Sequence, residues 1–596
     1  MGLAFFWLFF LLMAIGMPVV FALLIGPGLS LVIDGTDGRF FAKLLSTIYT
    51  GIYSFPLMAV PFFILAGELM NSGGITRSIV KFAESMIGHV RSGLAQVNIL
   101  SSILFAGLSG SAVADTSALG KMLIPAMEQN GYSRRFAAAI TAASSVIGPI
   151  IPPSGIMVLY AFVMNVSVAG LFLAGIVPGL AVGLGLMALT AYFSGVRNYP
   201  VASRKATWGE RSVSFLETYP ALLTPVLLLG GILSGIYTPT EAAAVAAVYA
   251  LFASALIRLD LWARFIANPL HAYIHIAPLT VLLFAGFTDA VGFRLFLALG
   301  LGWVVVAEAL WRLVGPRAPA VAAQVPLRRD LDLAARYTAH RLPEVLRQTA
   351  IQSGVILLLV GAAVTFGWMV TVSGLAREAA SLIRNTTDNP SLLLFLVNIL
   401  LFVVGMFLDA GPAILILGPV LGPIMTQVGV DPLHCAIVMC VNVTVGLAAP
   451  PMGLVLFVAS SVSGEKIERI VQAIWPFLLV EFAVILLIAY FPSLTMTIPA
   501  LAGFAQCPSG AFLCATRRSR RRAARSMCRV RRRRPRSRRL PRACASGTAT
   551  SSARNGSTRW MRPSRPAKAR PTRNSSQRTS RQPAGAQGAP RSRCGD

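Results

Sequence analysis

Apolar stretches of about 20 residues recur through the first 500 positions of this 596-residue chain. About 20 apolar residues is the length an α-helix needs to cross roughly 30 Å of hydrocarbon. Candidates lie near 3–33, 55–71, 94–127, 136–163, 168–193, 220–236, 240–258, 349–372, 391–427, 434–462 and 470–492, and residues 272–313 hold two more. The amino-terminal stretch has neither a basic head nor a cleavage pattern, so it reads as a retained membrane helix. Polar, charged links separate the stretches, for example 71–91, 197–211 and 316–347. Composition points the same way: the chain is 13% charged, against about 25% for soluble globular proteins. A soluble enzyme, a coiled coil and a wholly disordered chain are poor readings. An all-α polytopic membrane protein is the expectation.

The formal net charge of +29 is not evenly spread. Residues 501–596 carry 26 Arg and Lys and one acid, Asp596, whereas the remaining residues hold 26 basic and 22 acidic side chains. A nearly neutral membrane body is therefore joined to a basic tail. Several chemistries lack a signature. No CxxC pair occurs among the seven cysteines, which argues against a zinc knuckle or a thioredoxin-type site. His271 and His275 have the i, i+4 spacing of a metal pair without a third ligand, so they read as interfacial and no transition metal is expected. Gly120-Lys121 is followed by Met122 and lacks the upstream glycine of a phosphate-binding loop. The chain is not read as an enzyme. Energy for transport has to come from an ion gradient or from a separate subunit.

Two stretches are wrong for simple spans. Residues 101–125 are apolar at both ends and small and polar in the middle, where Gly107, Ser109, Gly110, Ser111 and Asp115 cluster. Residues 147–155 interrupt the next stretch with three prolines, each of which removes a helix donor. Non-helical backbone at membrane depth persists only inside protein or around a water-filled cavity. The same devices return about 300 residues later. Val97-Asn98-Ile99-Leu100 reappears as Val397-Asn398-Ile399-Leu400. At an offset of 298, Gly107 matches Gly405, Pro125 matches Pro423, and Gly148, Pro152, Pro153 and Gly155 match Gly446, Pro450, Pro451 and Gly453. Chance does not supply such an ordered set, so the chain is duplicated. Paired interrupted helices in two halves point to a midplane binding site in secondary transporters.

The stretches 61–76, 104–127, 144–161, 235–246, 405–425 and 441–460 together resemble the large membrane subunit of TRAP transporters, the tripartite ATP-independent periplasmic carriers. LFAGLSGSAVADTSALGKMLIPAM and VNVTVGLAAPPMGLVLFVAS are two of them, and the combination of all six is specific. The resemblance covers most of 1–258 and 349–500. It implies an elevator-type fold of two inverted repeats, each with a re-entrant hairpin and a broken helix. It also implies sodium as coupling ion, with no other cofactor, and a multi-pass place in the bacterial inner membrane. The implied partners are a small four-helix membrane subunit and a periplasmic binding protein that delivers an organic anion, such as a C4-dicarboxylate or a sugar acid. The expected organisation is a first membrane repeat over 1–258, a connector with two extra apolar segments over 259–348, a second repeat over 349–503, and a tail over 504–596. The connector and the tail depart from the family pattern, and the connector could alter how the small subunit docks.

The paired motifs are expected to form two half-sites for sodium and substrate. Gly107, Ser109, Gly110, Ser111 and Asp115 with Gly148, Pro152, Pro153, Ser154 and Gly155 make the first. Gly405, Asp409 and Gly411 with Gly446, Pro450, Pro451 and Gly453 make the second. Broken turns release carbonyl oxygens that suit sodium, and the amino ends of half-helices favour carboxylate groups. Small-residue helix packing is the alternative. Asp115 and Asp409 are read as carboxylates at membrane depth, with ion or gating roles weighed against helix capping. They are not equivalent in the repeat: Asp115 aligns with Ala413, and Asp409 with Ser111. Asn442 aligns with Ser144, and each could offer an oxygen or bond to a neighbouring helix. Thr238-Pro239-Thr240-Glu241 reads as a capping box, and Glu68 as interfacial.

The tail from about 504 is too basic and too poor in apolar residues to bury a core. It could bind anionic lipid or nucleic acid without sequence specificity. The abrupt change of composition favours a third reading, the product of a frame shift in GC-rich DNA. Two other functions stay in view. One is an ion-coupled anion carrier that needs no binding protein; the other is a membrane anchor for the basic tail.

Overall fold

The computed structural model describes residues 4–35, 38–197, 205–258, 327–374, 390–451 and 453–504, with isolated positions between 262 and 306 and at 378. The tail, His271, His275 and most of the connector lie outside the described residues. The described chain is built from α-helices: α1 Ala4–Ala14, α2 Val19–Ile33, α3 Gly38–Ile52, α4 Ala59–Ser72, α5 Ile75–Ile87, α6 Gly93–Ser109, α7 Ala112–Gln129, α8 Arg134–Ser145, α9 Gly155–Val163, α10 Val168–Arg197, α11 Trp208–Leu233 and α12 Pro239–Arg258. The second half continues with α13 Leu327–Ser373, α14 Pro390–Phe407, α15 Ala410–Gln427, α16 Pro432–Gly446, α17 Leu454–Ser463, α18 Ile467–Tyr490 and α19 Pro492–Ala502. Five segments are long and apolar enough to span a bilayer: Val168–Gly195, Trp208–Leu233, Arg341–Ser373, Ala410–Gln427 and Ile467–Tyr490. Helices of 10–17 residues make up much of the rest. The protein is a multi-pass, all-α membrane protein.

The duplication is visible in the helix boundaries. α7 and α15 begin at Ala112 and Ala410 and end at Gln129 and Gln427, the same offset at both ends. α8 and α16 follow, each stopping at a break, 146–154 in the first repeat and 447–453 in the second, and α9 and α17 resume the chain beyond. Pro152-Pro153 and Pro450-Pro451 are both cis. The stretches at 94–127 and 391–427 are thus hairpins, and those at 136–163 and 434–462 are broken helices, as their glycines and prolines suggest.

The repeats interlock. α9 packs on α15 of the other repeat, and α17 packs on α7. Such reciprocity, in which each half offers the other the same surface, is what a two-fold relation produces. Within each repeat a buried polar clasp ties the first hairpin arm to the broken helix. Ser144 Oγ donates to Asn98 Oδ1 at 3.2 Å, and Asn98 Nδ2 donates to Thr141 Oγ1 at 2.7 Å. In the second repeat Asn442 Nδ2 donates to Asn398 Oδ1. Asn98 and Asn398 are the asparagines of the repeated Val-Asn-Ile-Leu.

Three features differ from the sequence reading. The stretch at 3–33 is not one span: Gly16, at φ +93°, and Pro18 divide it into α1 and α2, which pack together. Their aromatic core rests on α13, with Phe5 and Phe9 ring centroids 5.3 and 5.4 Å from Phe366. The link at 71–91 holds the amphipathic α5, packed on α6 and α11. The link at 316–347 is helical from Leu327, and α13 runs through position 348 without a break. At 1.5 Å per residue its 47 residues extend about 70 Å, well beyond the hydrocarbon thickness.

The capping box at Thr238 is formed: Glu241 N donates to Thr238 Oγ1 at 3.3 Å, and Thr238 N donates to Glu241 Oε2 at 2.8 Å. A second box, at Thr207 and Glu210, starts α11. Thr238→Ala removes the cap of α12, which packs extensively on α4. The expected cost is about 1 kcal/mol, read as a lower melting temperature of the purified protein.

Candidate functional site

The first hairpin closes on the first break. α6 ends at Ser109, Gly110 turns the chain at φ +59°, and Ser111 caps α7 by accepting from Ala114 N at 3.4 Å. The turn sits directly on the break: a Cβ at Gly110 would lie 2.6 Å from Pro153 O, and one at Gly107 would lie 3.8 Å from Pro152 O. Gly110 therefore needs both its left-handed conformation and its missing side chain. Ser154 caps α9 by accepting from Met157 N at 3.3 Å. Two helix carboxyl ends and two helix amino ends meet here, so carbonyl oxygens and N–H groups share one locus.

Asp115 lies one turn into α7 and is 0% exposed. Its Oδ1 accepts from the Ser109 hydroxyl, and its Oδ2 has no hydrogen-bond partner among the described residues. Gly148 lies against Oδ2, where any side chain would collide with the carboxylate. Next to it Thr116 Oγ1 donates to Ser145 Oγ at 2.7 Å, joining α7 to the end of α8. A charge inserted at bilayer depth costs about 2.5–3.5 kcal/mol. Among the described residues the hydroxyl of Ser109 is the group that bonds this carboxylate.

The second hairpin turns without a positive-φ glycine. Asp409 caps α15, its Oδ1 accepting from Ala410 N at 2.8 Å. Its repeat mate Ser111 caps α7, so the two positions share a role although their residues differ. The capping alternative thus describes Asp409 and does not describe Asp115. The two acids differ in packing: Asp115 is buried within the protein, whereas Asp409 sits at its surface. Gly405 meets Gly446 backbone to backbone, a Cβ on Gly446 lying 2.6 Å from Gly405 Cα. Asn442 is fully buried, and its Oδ1 is without a partner among the described residues. Pro152, Pro153 and Ser154 are buried, while Pro450 is half-buried and Pro451 exposed, so the second break is the more exposed of the two.

The two halves are linked by their crossing contacts. Gly411 faces Leu159 of α9, and Gly418 and Gly422 face Met164 at the end of the same helix. α9 and α15 therefore run in the same direction, and the amino end that leaves the first break lies beside the amino end that leaves the second hairpin. Gly120 of α7 receives Val462 of α17 at 3.3 Å from its Cβ position. The structure thus brings Gly107, Gly110 and Asp115 to Gly148, Pro152, Pro153 and Ser154, and Gly405 to Gly446. Ser144 and Asn442 stand in the clasps beneath, and Gly155 has open space where a Cβ would be.

Residues 6–298 and 267–494 match the family described as "Tripartite ATP-independent periplasmic transporter, DctM component". The chain belongs to this family. The sialic acid TRAP transporter large permease protein SiaM of Vibrio cholerae is 35% identical over 489 residues, covering 82% of this chain and 95% of its own. The 2,3-diketo-L-gulonate TRAP transporter large permease protein YiaN of Escherichia coli is 32% identical, covering 81% and 95%. The C4-dicarboxylate TRAP transporter large permease protein DctM of Rhodobacter capsulatus is 31% identical, covering 76% and 89%. The chain is a TRAP large permease subunit, and transport rather than catalysis is what its relatives are named for.

Overpacking of a dense contact costs about 1–3 kcal/mol. Gly446→Ala drives a Cβ into backbone and is expected to lose at least that much stability, whereas Gly155→Ala is expected to leave the melting temperature of the purified protein unchanged. Equal effects would remove the Gly405–Gly446 contact from the account.

Proposed function

We propose that this chain is the translocating subunit of a sodium-coupled importer of an organic anion in the bacterial inner membrane. A periplasmic binding protein delivers the substrate, and a small four-helix membrane subunit completes the carrier. Membership of the family supports this arrangement, because the family's own description is of a tripartite, ATP-independent system. The three relatives are named for sialic acid, a diketogulonate and C4-dicarboxylates, and all three ligands carry carboxylates.

The observation that carries the proposal is the meeting of hairpin turn and helix break around Asp115. Carbonyl oxygens at the ends of α6 and α8, Ser109 and the free oxygen of Asp115 are hard donors of the kind sodium takes. Asn442 Oδ1 and the end of α16 offer the same chemistry in the second half. Sodium held there neutralises Asp115 and draws the substrate carboxylate. The amino ends of α9 and α15, which lie side by side, add partial positive charge on the same side. The exposed second half, with Asp409 and Pro451, receives substrate, and the interlocked hairpins and half-helices move as one body in an elevator stroke against α4, α12 and α13.

Uptake of a candidate anion by proteoliposomes holding the complete carrier tests this. A sodium gradient is expected to drive uptake, and Ser109→Ala to lower sodium-driven uptake roughly tenfold or more, since a hydrogen bond to a charged group is worth about 1.5–3 kcal/mol. Uptake that follows a proton gradient and ignores sodium would overturn the ion assignment. Full activity without a binding protein would overturn the delivery step.

A further inference from the structure

Among the described residues only two acids are buried, Asp115 and Glu481. Glu481 lies in the middle of α18, far from the hairpin turns in sequence, and is 0% exposed. Neither of its carboxyl oxygens has a hydrogen-bond partner among the described residues. The buried residues of this helix include Ile470, Ile474, Phe477, Leu478, Ile485 and Ile488, an apolar stripe in which Glu481 takes a core position. Phe477, one turn earlier on the same face, lies 5.8 Å from Phe136 of α8 and 6.2 Å from Phe193 of α10 between ring centroids. Glu481 is thus placed on the face of α18 that meets the seam between α8 and α10.

Among the described residues no ion pair reaches it. The helices packed on α18 are α8, α10, α14, α16, α17 and α19. Their charged or titratable residues are Arg134 and Arg135 on α8, Tyr192 and Arg197 on α10, and His434, Cys435 and Cys440 on α16. On α18 itself they are Glu468, Arg469 and Tyr490. Arg134 pairs with Glu128, Arg469 with Glu465, and His434 bonds Thr495 and the carbonyl of Ala489. Arg135 and Tyr192 are exposed. An isolated ionised carboxylate in an apolar core is far costlier than a neutral carboxyl, and among the described residues no group of three or more His, Cys, Asp or Glu is placed to hold a metal ion. A proton is the ligand that fits.

We propose that Glu481 is a proton-binding site of the carrier, separate from the hairpin turns and breaks, whose carboxyl is neutral in this conformation. Its place beside α8 gives the proton a mechanical consequence, because α8 leads directly into the first break. Ionisation leaves an unpaired charge in the seam and loosens α18 from α8. The protein therefore loses stability as pH rises through the titration of this group.

Infrared spectroscopy of the purified full-length protein with isotopically labelled glutamate tests the proposal without any assumption about sodium or substrate. Glutamate labelling separates Glu481 from Asp115. At neutral pH a label-shifted band of a protonated carboxyl is expected, lost in Glu481→Gln. The wild type is also expected to melt at progressively lower temperature from mildly acidic to mildly alkaline pH, and Glu481→Gln to lose most of that slope. Absence of the glutamate band in the wild type would overturn the proposal even if the variant failed to fold. Parallel melting profiles for the two proteins would overturn it as well.

Discussion

Hydrocarbon offers no partner to a main-chain N–H or carbonyl. A helix that stops halfway across a membrane therefore has to be met by another piece of protein that stops at the same place. This constraint governs the structure. The break at 146–154 is met by the turn at Gly110, and the half-helix beyond it lies along the other repeat's hairpin. The second repeat does the same in return. Each repeat buries its interrupted helix against the other.

Small residues are needed because the contacts are made by backbone. Gly110 under Pro153 O, and Gly405 against Gly446, admit no side chain. The same closeness concentrates helix ends, and with them partial charge of both signs, in a small volume. The single buried acid of that region, Asp115, is held by one serine and faces Gly148 with its other oxygen. The second repeat places alanine at the matching position and keeps its aspartate as an exposed cap. The halves share a scaffold while differing in charge and exposure.

Much of this was legible in the sequence, because breaks and turns need particular residues. The Pro-Pro pairs, the glycines around them and their ordered return at one offset marked the hairpins and broken helices. The family likeness came from the same stretches. What escaped was structure written in ordinary residues. α5 is amphipathic and lies in a stretch read as a polar link, and α3 falls between the candidate stretches, since only one face of each is apolar. α13 starts in a charged segment that becomes apolar only after several turns. The division at Gly16 and Pro18 had a signal, a Gly-x-Pro step, that a long apolar run concealed. Asn98 and Asn398 stood in a quoted repeat, yet nothing local shows that they face the broken helices. Glu481 stood alone in an apolar helix, where burial is decided by neighbours that are distant in the chain.

The crossing of the repeats is the claim on which the site, the coupling and the proposed motion all rest. Gly120→Cys with Val462→Cys joins α7 to α17, and Leu159→Cys with Gly411→Cys joins α9 to α15. Mild oxidation of each double variant in native membranes, followed by mass spectrometry of the digested protein, is expected to yield the disulfide-linked peptide in both pairs. Free, readily labelled thiols in both pairs, with no linked peptide in either, would contradict the interlocked arrangement.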